Sequence, residues 1–228
     1  MDNKKERGFT MKTVLITGAG TGLGRELALL YAKDNYHIIV AGRTLSKLEE
    51  TKSLIEQANG TAHVFKLDIQ KPQQDIDHLL SSRAVDVLIN NAGTGYFGSF
   101  EQLKEEEINE MIDTNVKGTI FVTQALIKHL LSRPSGKIIN IISTAGLRGK
   151  VNESVYAASK FAVRGFTESL QKEYEGTTIS IIGAYMGGMD TPFWDATDHI
   201  QDKSRLKPPS DIARIIYEKQ HQNKDITL

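Results

Sequence analysis

The sequence predicts an α/β fold, a doubly wound parallel sheet of six to seven strands between two helical layers, forming a three-layer α/β/α sandwich. Two observations carry that expectation. Short β-branched or apolar runs alternate with longer amphipathic stretches, the rhythm of parallel strands joined by crossover helices. A glycine-rich turn separates the first such run from the first helical stretch in "TVLITGAGTGLGRELALLYA", the order strand, tight turn, helix. No linker, repeat or low-complexity tract interrupts the rhythm, so residues 12–228 are expected to form a single dinucleotide-binding domain.

The elements follow in order. Strands are expected at 13–17 (TVLIT), 37–41 (HIIVA), 62–66 (AHVFK), 85–89 (VDVLI), 137–142 (KIINII) and 178–184 (TISIIGA), each a short run rich in Val, Ile or Thr. The amphipathic stretches between them place helices at 22–34, 44–58, 72–82, 104–131 and 153–175, with a last helix at 209–221. Polar residues lead up to a second Met at position 11, so residues 1–11 are expected to be a flexible or disordered extension.

Composition narrows the function classes. The chain has 228 residues, 39% hydrophobic and 25% charged, as an ordinary globular protein does. Lys plus Arg number 28 and Asp plus Glu 28; with no basic excess, neither nucleic acid nor a membrane surface is an expected partner. The absence of Cys excludes disulfides and a thiolate nucleophile, and the six His residues lack metal-ligand spacing, so no metal site is expected. No long apolar run or signal-peptide pattern is present, and a cytoplasmic location is expected.

Three local patterns point to chemistry. Gly18, Gly22 and Gly24 stand where strand gives way to helix, which lets the backbone approach a pyrophosphate at the helix N-terminus. The second strand ends in Gly42 and Arg43 rather than in a carboxylate that would accept from a ribose 2′-hydroxyl. Arg43 suits a 2′-phosphate through charge-assisted bonds of about 1.5–3 kcal/mol, so NADP (NADPH) is expected over NAD. Tyr156 and Lys160 lie four positions apart on one helical face, where a phenol and an ammonium can converge.

The sequence resembles the single-domain branch of the short-chain dehydrogenase/reductase family over about 200 residues. Its markers occur in order: "TGAGTGLG", Asp68 in "LDI", "NNAG" at 90–93, Asn115 in "TNVKG", Ser143 in "IINIISTAG", and "YAASK" with Tyr156 and Lys160. The resemblance implies a Rossmann-like fold in which Thr17, Gly18, Thr21, Gly22, Leu23 and Gly24 line the pyrophosphate. Asp68 would contact the adenine, Asn91, Ala92 and Gly93 would pass along the ribose, and Thr191 would bond the nicotinamide carboxamide. Asn115, Ser143, Tyr156 and Lys160 would form a catalytic tetrad in which Tyr156 is general acid/base, Ser143 orients the carbonyl and Asn115 holds a proton-relay water.

A free phenol titrates about three units above neutrality, about 4 kcal/mol; an ammonium about 4 Å away at an effective dielectric of about 20 supplies roughly that amount, so Lys160 is expected to lower the Tyr156 pKa. The implied activity is NADPH-dependent interconversion of a carbonyl and an alcohol on a small-molecule substrate. The alternative is a catalytically silent NAD(P)-binding sensor or interaction protein, which has no need of all four tetrad residues. A homodimer or homotetramer is expected by the same likeness.

Two departures stand out. Met186 occupies the place where the family usually has Pro before Gly, which predicts a less rigid loop. The chain closes on "KDITL", which leaves room for at most a very short seventh strand. Tyr96, Phe97, Met189, Phe193 and Trp194 suggest an apolar, partly aromatic substrate pocket.

Overall fold

The computed structural model describes residues 11–195, 197–200 and 202–228; most of the expected N-terminal extension lies outside them. In β1 (Thr13–Thr17), Val14 and Ile16 face one apolar core and Leu15 the other. The same two-sided burial recurs in β2 (His37–Gly42), β4 (Val87–Asn90), β5 (Lys137–Ser143) and β6 (Ser180–Met186), and only a sheet covered on both faces permits it. With β3 (Thr61–Lys66) and β7 (Ile226–Thr227), these strands make one seven-stranded parallel sheet in the order β3-β2-β1-β4-β5-β6-β7.

Helices α1 (Gly22–Lys33), α2 (Leu45–Gln57) and α7 (Pro209–Lys219) cover one face, where Leu27, Ile55 and Ile216 are fully buried. Helices α3 (Gln73–Ser82), α5 (Thr119–Leu131) and α6 (Ser154–Glu173) cover the other through Ile76, Leu126 and Leu170. The expected three-layer doubly wound fold is therefore present, with the strand order reversing between β1 and β4. That reversal opens a crevice beyond the carboxyl ends of the strands.

Two expected elements differ. The single helix expected at 104–131 is α4 (Glu105–Met111), a π-helical segment (Ile112–Gly118) and α5. Side-chain periodicity cannot reveal the change, because it lies in the backbone bonding. At its end the helix touches Ile69 closely: a Cβ on Gly118 would lie 2.6 Å from Ile69 Cδ1. π-helical turns of this kind gather at functional sites, and this one carries Asn115. The second difference is β4, which begins at Val87, two residues later than expected; β7, paired through Ala184–Ile226 and Tyr185–Thr227, is the very short seventh strand the sequence allowed.

Below the crevice, a buried amide network ties the central strands to the helices that bear the site. Asn90 Nδ2 donates to Thr123 Oγ1 and to Asn140 Oδ1, both at 2.9 Å, and Asn140 Nδ2 donates to Thr167 Oγ1 at 2.9 Å. Satisfied polar groups in a core fix one packing arrangement, here the placement of α5 and α6 on β4 and β5.

Candidate active site

The loop after β1 is shaped by contacts only glycine allows. Gly18 has φ +66°, and a Cβ there would lie 2.9 Å from Ala92 Cα. A Cβ on Gly24 would lie 2.4 Å from Gly18 O and 2.6 Å from Asn91 Nδ2, closer than packed atoms tolerate. The N-cap of α1, Thr21, offers no side-chain cap, and no acidic residue stands in the first turn. The first amides of α1 are left for an anion, which the helix dipole favours.

The loops after β1 and β4 are bonded at the point of strand reversal. Thr17 Oγ1 accepts from Asn91 N and Ala92 N at 3.0 Å each, and Asn91 Nδ2 donates to Thr17 O at 3.0 Å and Gly18 O at 3.2 Å. Gly18, Thr21, Gly22, Leu23, Asn91, Ala92 and Gly93 line a crevice of about 620 Å³. Thr17, 2% exposed, sits behind that wall. Thr17 and Gly24 thus build the loop and do not line the crevice as expected: the hydroxyl of one is spent on backbone amides, and the other is wedged against Gly18 O.

Arg43 emerges from the end of β2 and is exposed on the crevice wall, with Lys47 beside it one helical turn along the chain. Lys47 packs on the glycine loop, its Cβ 3.0 Å from where a Cβ on Gly20 would stand. Sequence reasoning missed Lys47; its signal was the spacing of four from Arg43 across the start of α2. Asp68, after β3, is exposed on the same wall, and its Oδ1 accepts from Gln70 N at 3.0 Å. A glycine cradle and a free helix N-terminus fit a dinucleotide, and the cations Arg43 and Lys47 stand on the same wall.

At the other end stand Ser143, Tyr156 and Lys160. Ser143 closes β5, and its Oγ accepts from Ala145 N at 3.1 Å, which fixes the short 3₁₀ turn Thr144–Gly146 that follows. Tyr156 and Lys160 are each 8% exposed, and Lys160 Nζ lies 5.7 Å from the Tyr156 ring centroid while donating to Ile141 O at 3.4 Å. The four-residue spacing does bring phenol and ammonium to one place.

Their electrostatics differ from expectation. Burial pushes the Tyr156 phenol well above its ordinary value, a hydrogen bond with Ser143 pulls the other way, and the Glu153 charge adds to the rise. Burial also lowers Lys160 to about 8. The expected lowering of the Tyr156 pKa is thus corrected: burial outweighs the hydrogen bond from Ser143, and the net direction for the phenol is up.

Asn115 is 1% exposed and lies behind the crevice wall. Its Oδ1 accepts from Thr94 N at 2.8 Å, and its Nδ2 donates to Thr94 O at 2.8 Å and to Ser159 Oγ at 3.0 Å. Both side-chain N–H groups are spent, so the expected relay water would have to bond to an acceptor of Asn115 and not to these donors. Asn115 instead pins the loop after Gly93 to α6; a Cβ on Gly93 would lie 3.1 Å from Asn115 Oδ1 and 3.7 Å from Lys160 Nζ.

The substrate end is walled by Met189, Phe193 and Trp194, and Thr191 packs its methyl 3.1 Å from where a Cβ on Gly22 would be. Phe97 stands behind, stacked on Trp194 with centroids 5.1 Å apart. Tyr96 turns away from the crevice and donates to Glu110 Oε2 at 2.6 Å. Met186 ends β6 opposite Ser143 and is 2% exposed, so core packing anchors the start of this loop where a proline ring would otherwise fix it. Lys150, Glu153, Ile200 and Leu206 also line this end, and the sequence had marked none of them.

Known proteins share both pattern and shape. The family model for short chain dehydrogenases matches residues 12–202. An uncharacterized oxidoreductase of Staphylococcus epidermidis is 30% identical over 211 residues, which cover 90% of each chain. Among solved structures, a variant of actinorhodin polyketide ketoreductase with NADPH is 26% identical, with TM-score 0.86 over 96% of this chain and 95% of that one. A short-chain dehydrogenase/reductase from Burkholderia phymatum in complex with NAD shares the fold at 21% identity, TM-score 0.88, over 96% and 89%. Glycine cradle, Ser-Tyr-Lys cluster and these likenesses agree: the chain belongs to the short-chain dehydrogenase/reductase family of oxidoreductases.

Proposed function

We propose that this protein is an NADPH-dependent reductase that interconverts a carbonyl and an alcohol. The observation that carries the reading is the convergence of Ser143, Tyr156 and Lys160 on one end of a crevice whose other end is a glycine cradle flanked by Arg43 and Lys47. The amides at the start of α1 hold the pyrophosphate, and the two cations hold a 2′-phosphate. Reduced nicotinamide, when bound, supplies the hydride. The protein supplies position and the proton.

Ser143 orients the carbonyl oxygen and stabilises its growing charge. Tyr156, kept protonated by burial, donates its phenolic proton to that oxygen as the carbon gains hydride. An alkoxide is more basic than a phenolate, so donation runs downhill even from a phenol of raised pKa. Lys160, lowered to about 8, is still largely cationic at neutral pH and offsets the phenolate left behind. Alcohol oxidation would need Tyr156 deprotonated beforehand, which burial opposes. Asn115 acts as a positioning residue through Thr94 and Ser159.

The test is fluorescence titration with NADPH and NADH, followed by turnover on a panel of aldehydes and ketones. NADPH should bind more tightly, and Tyr156→Phe should bind it normally while losing turnover. Equal turnover by that variant would overturn the assignment. Phe121 on α5 and Phe161 on α6 are 38% and 42% exposed, which supports pairing of subunits through these helices; light scattering that gives a monomer mass would reject it.

A further inference from the structure

Glu153 immediately precedes α6, three residues before Tyr156, and is 6% exposed. At a helix N-cap a carboxylate ordinarily accepts from the first free amides, yet this one makes no capping bond. Its Oε1 accepts from His199 Nε2 at 3.1 Å, and Lys150 Nζ lies 3.8 Å from its Oε2. A buried carboxylate is costly unless paired, and the partner here comes from the loop between β6 and α7, 46 positions away.

The His199 ring does more than pair. It stacks on Phe97 with centroids 4.7 Å apart and planes at 13°, and lies 6.2 Å from Trp194 at 20°. Phe97 in turn packs edge-on against Tyr156 at 5.3 Å. Glu153 therefore holds the His199 ring against Phe97, the central ring of a cluster that backs the substrate wall and touches the proton donor.

We infer that Glu153 is a positioning residue for substrate: through its hydrogen bond with His199 it fastens the His199–Phe97–Trp194 stack, and so sets the shape of the crevice for flat aromatic carbonyl compounds. This rests on the reductase reading for its consequence in turnover, but the fastening itself does not. Trp194 is the single tryptophan of the chain, and it is 8% exposed, so its emission reports the wall directly.

In the full-length protein, Glu153→Ala should red-shift Trp194 emission and make it more accessible to acrylamide. With para-nitrobenzaldehyde as probe, KM should rise about tenfold, the loss expected for one charge-assisted bond, while NADPH affinity is kept. Glu153→Gln, whose amide oxygen still accepts from the imidazole N–H, should restore both readouts, and His199→Ala should reproduce the loss without adding to Glu153→Ala. Unchanged Trp194 shielding in folded Glu153→Ala, or a Gln variant as impaired as the Ala one, would overturn the inference. Should Glu153→Ala not fold, the contrast between Glu153→Gln and His199→Ala decides it. Should the wild type reduce no carbonyl, the acrylamide readout still decides the fastening while the reductase reading fails separately.

Discussion

The two ends of the crevice are built by different means. The nucleotide end is mostly backbone, a short contiguous loop from Gly18 to Gly24 whose shape follows from missing side chains and a free helix N-terminus. The substrate end is side chains gathered from distant segments: Phe97 after β4, Glu153 before α6, and Trp194 and His199 from the loop after β6. A backbone site is specified locally and tolerates little change. A side-chain site can be re-tailored one residue at a time.

Substitutions can break or sharpen that contrast. The largest effect belongs to the reacting group: Tyr156→Phe should lower kcat at least about a hundredfold, the usual range for lost general acid catalysis, with nucleotide titration unchanged. Next, Arg43→Ala should weaken NADPH about ten- to a hundredfold and leave NADH nearly as before; Lys47→Ala should act in the same sense and less. Equal losses for both nucleotides would show that the cations do not read the 2′-phosphate.

A smaller but sharper test lies within the cradle. Gly24→Ala places a methyl against Gly18 O and Asn91 Nδ2, and urea melts should show a loss of about 1–3 kcal/mol, the usual cost of overpacking. A stable variant with intact nucleotide binding would mean that the loop is less constrained than its contacts imply.

The mildest test is pH. Lys160 titrates near 8 when folded, below its ordinary 10.5. Reduction that depends on its charge should decline as pH rises through about 8, and Lys160→Met should lack that limb of the kcat/KM profile. The stability effect has the opposite sign. Between these two values the unfolded chain binds more protons than the folded one, so this group's contribution to stability improves as pH rises. A wild-type activity profile flat from neutrality to pH 9, one unit beyond the folded Lys160 value of about 8, would break the assignment.

The sequence by itself determined the layered fold, because alternation of apolar runs and amphipathic stretches is a local property. It likewise determined the glycine cradle and the pairing of Tyr156 with Lys160, since one helical turn settles who stands over whom. Tertiary structure decided the rest. The π-helical turn at Asn115 is a matter of backbone bonding against Ile69 that side-chain periodicity does not record. Thr17 carries the right name for a nucleotide wall, yet its hydroxyl is spent joining two loops and it sits behind the wall that Asn91 lines. The pKa of Tyr156 moved up because burial, a property of the whole packed site, outweighs the one hydrogen bond from Ser143 that lowers it. Glu153 and His199 meet only because the chain folds back across the crevice, and no spacing in the sequence announces a contact between residues 46 positions apart.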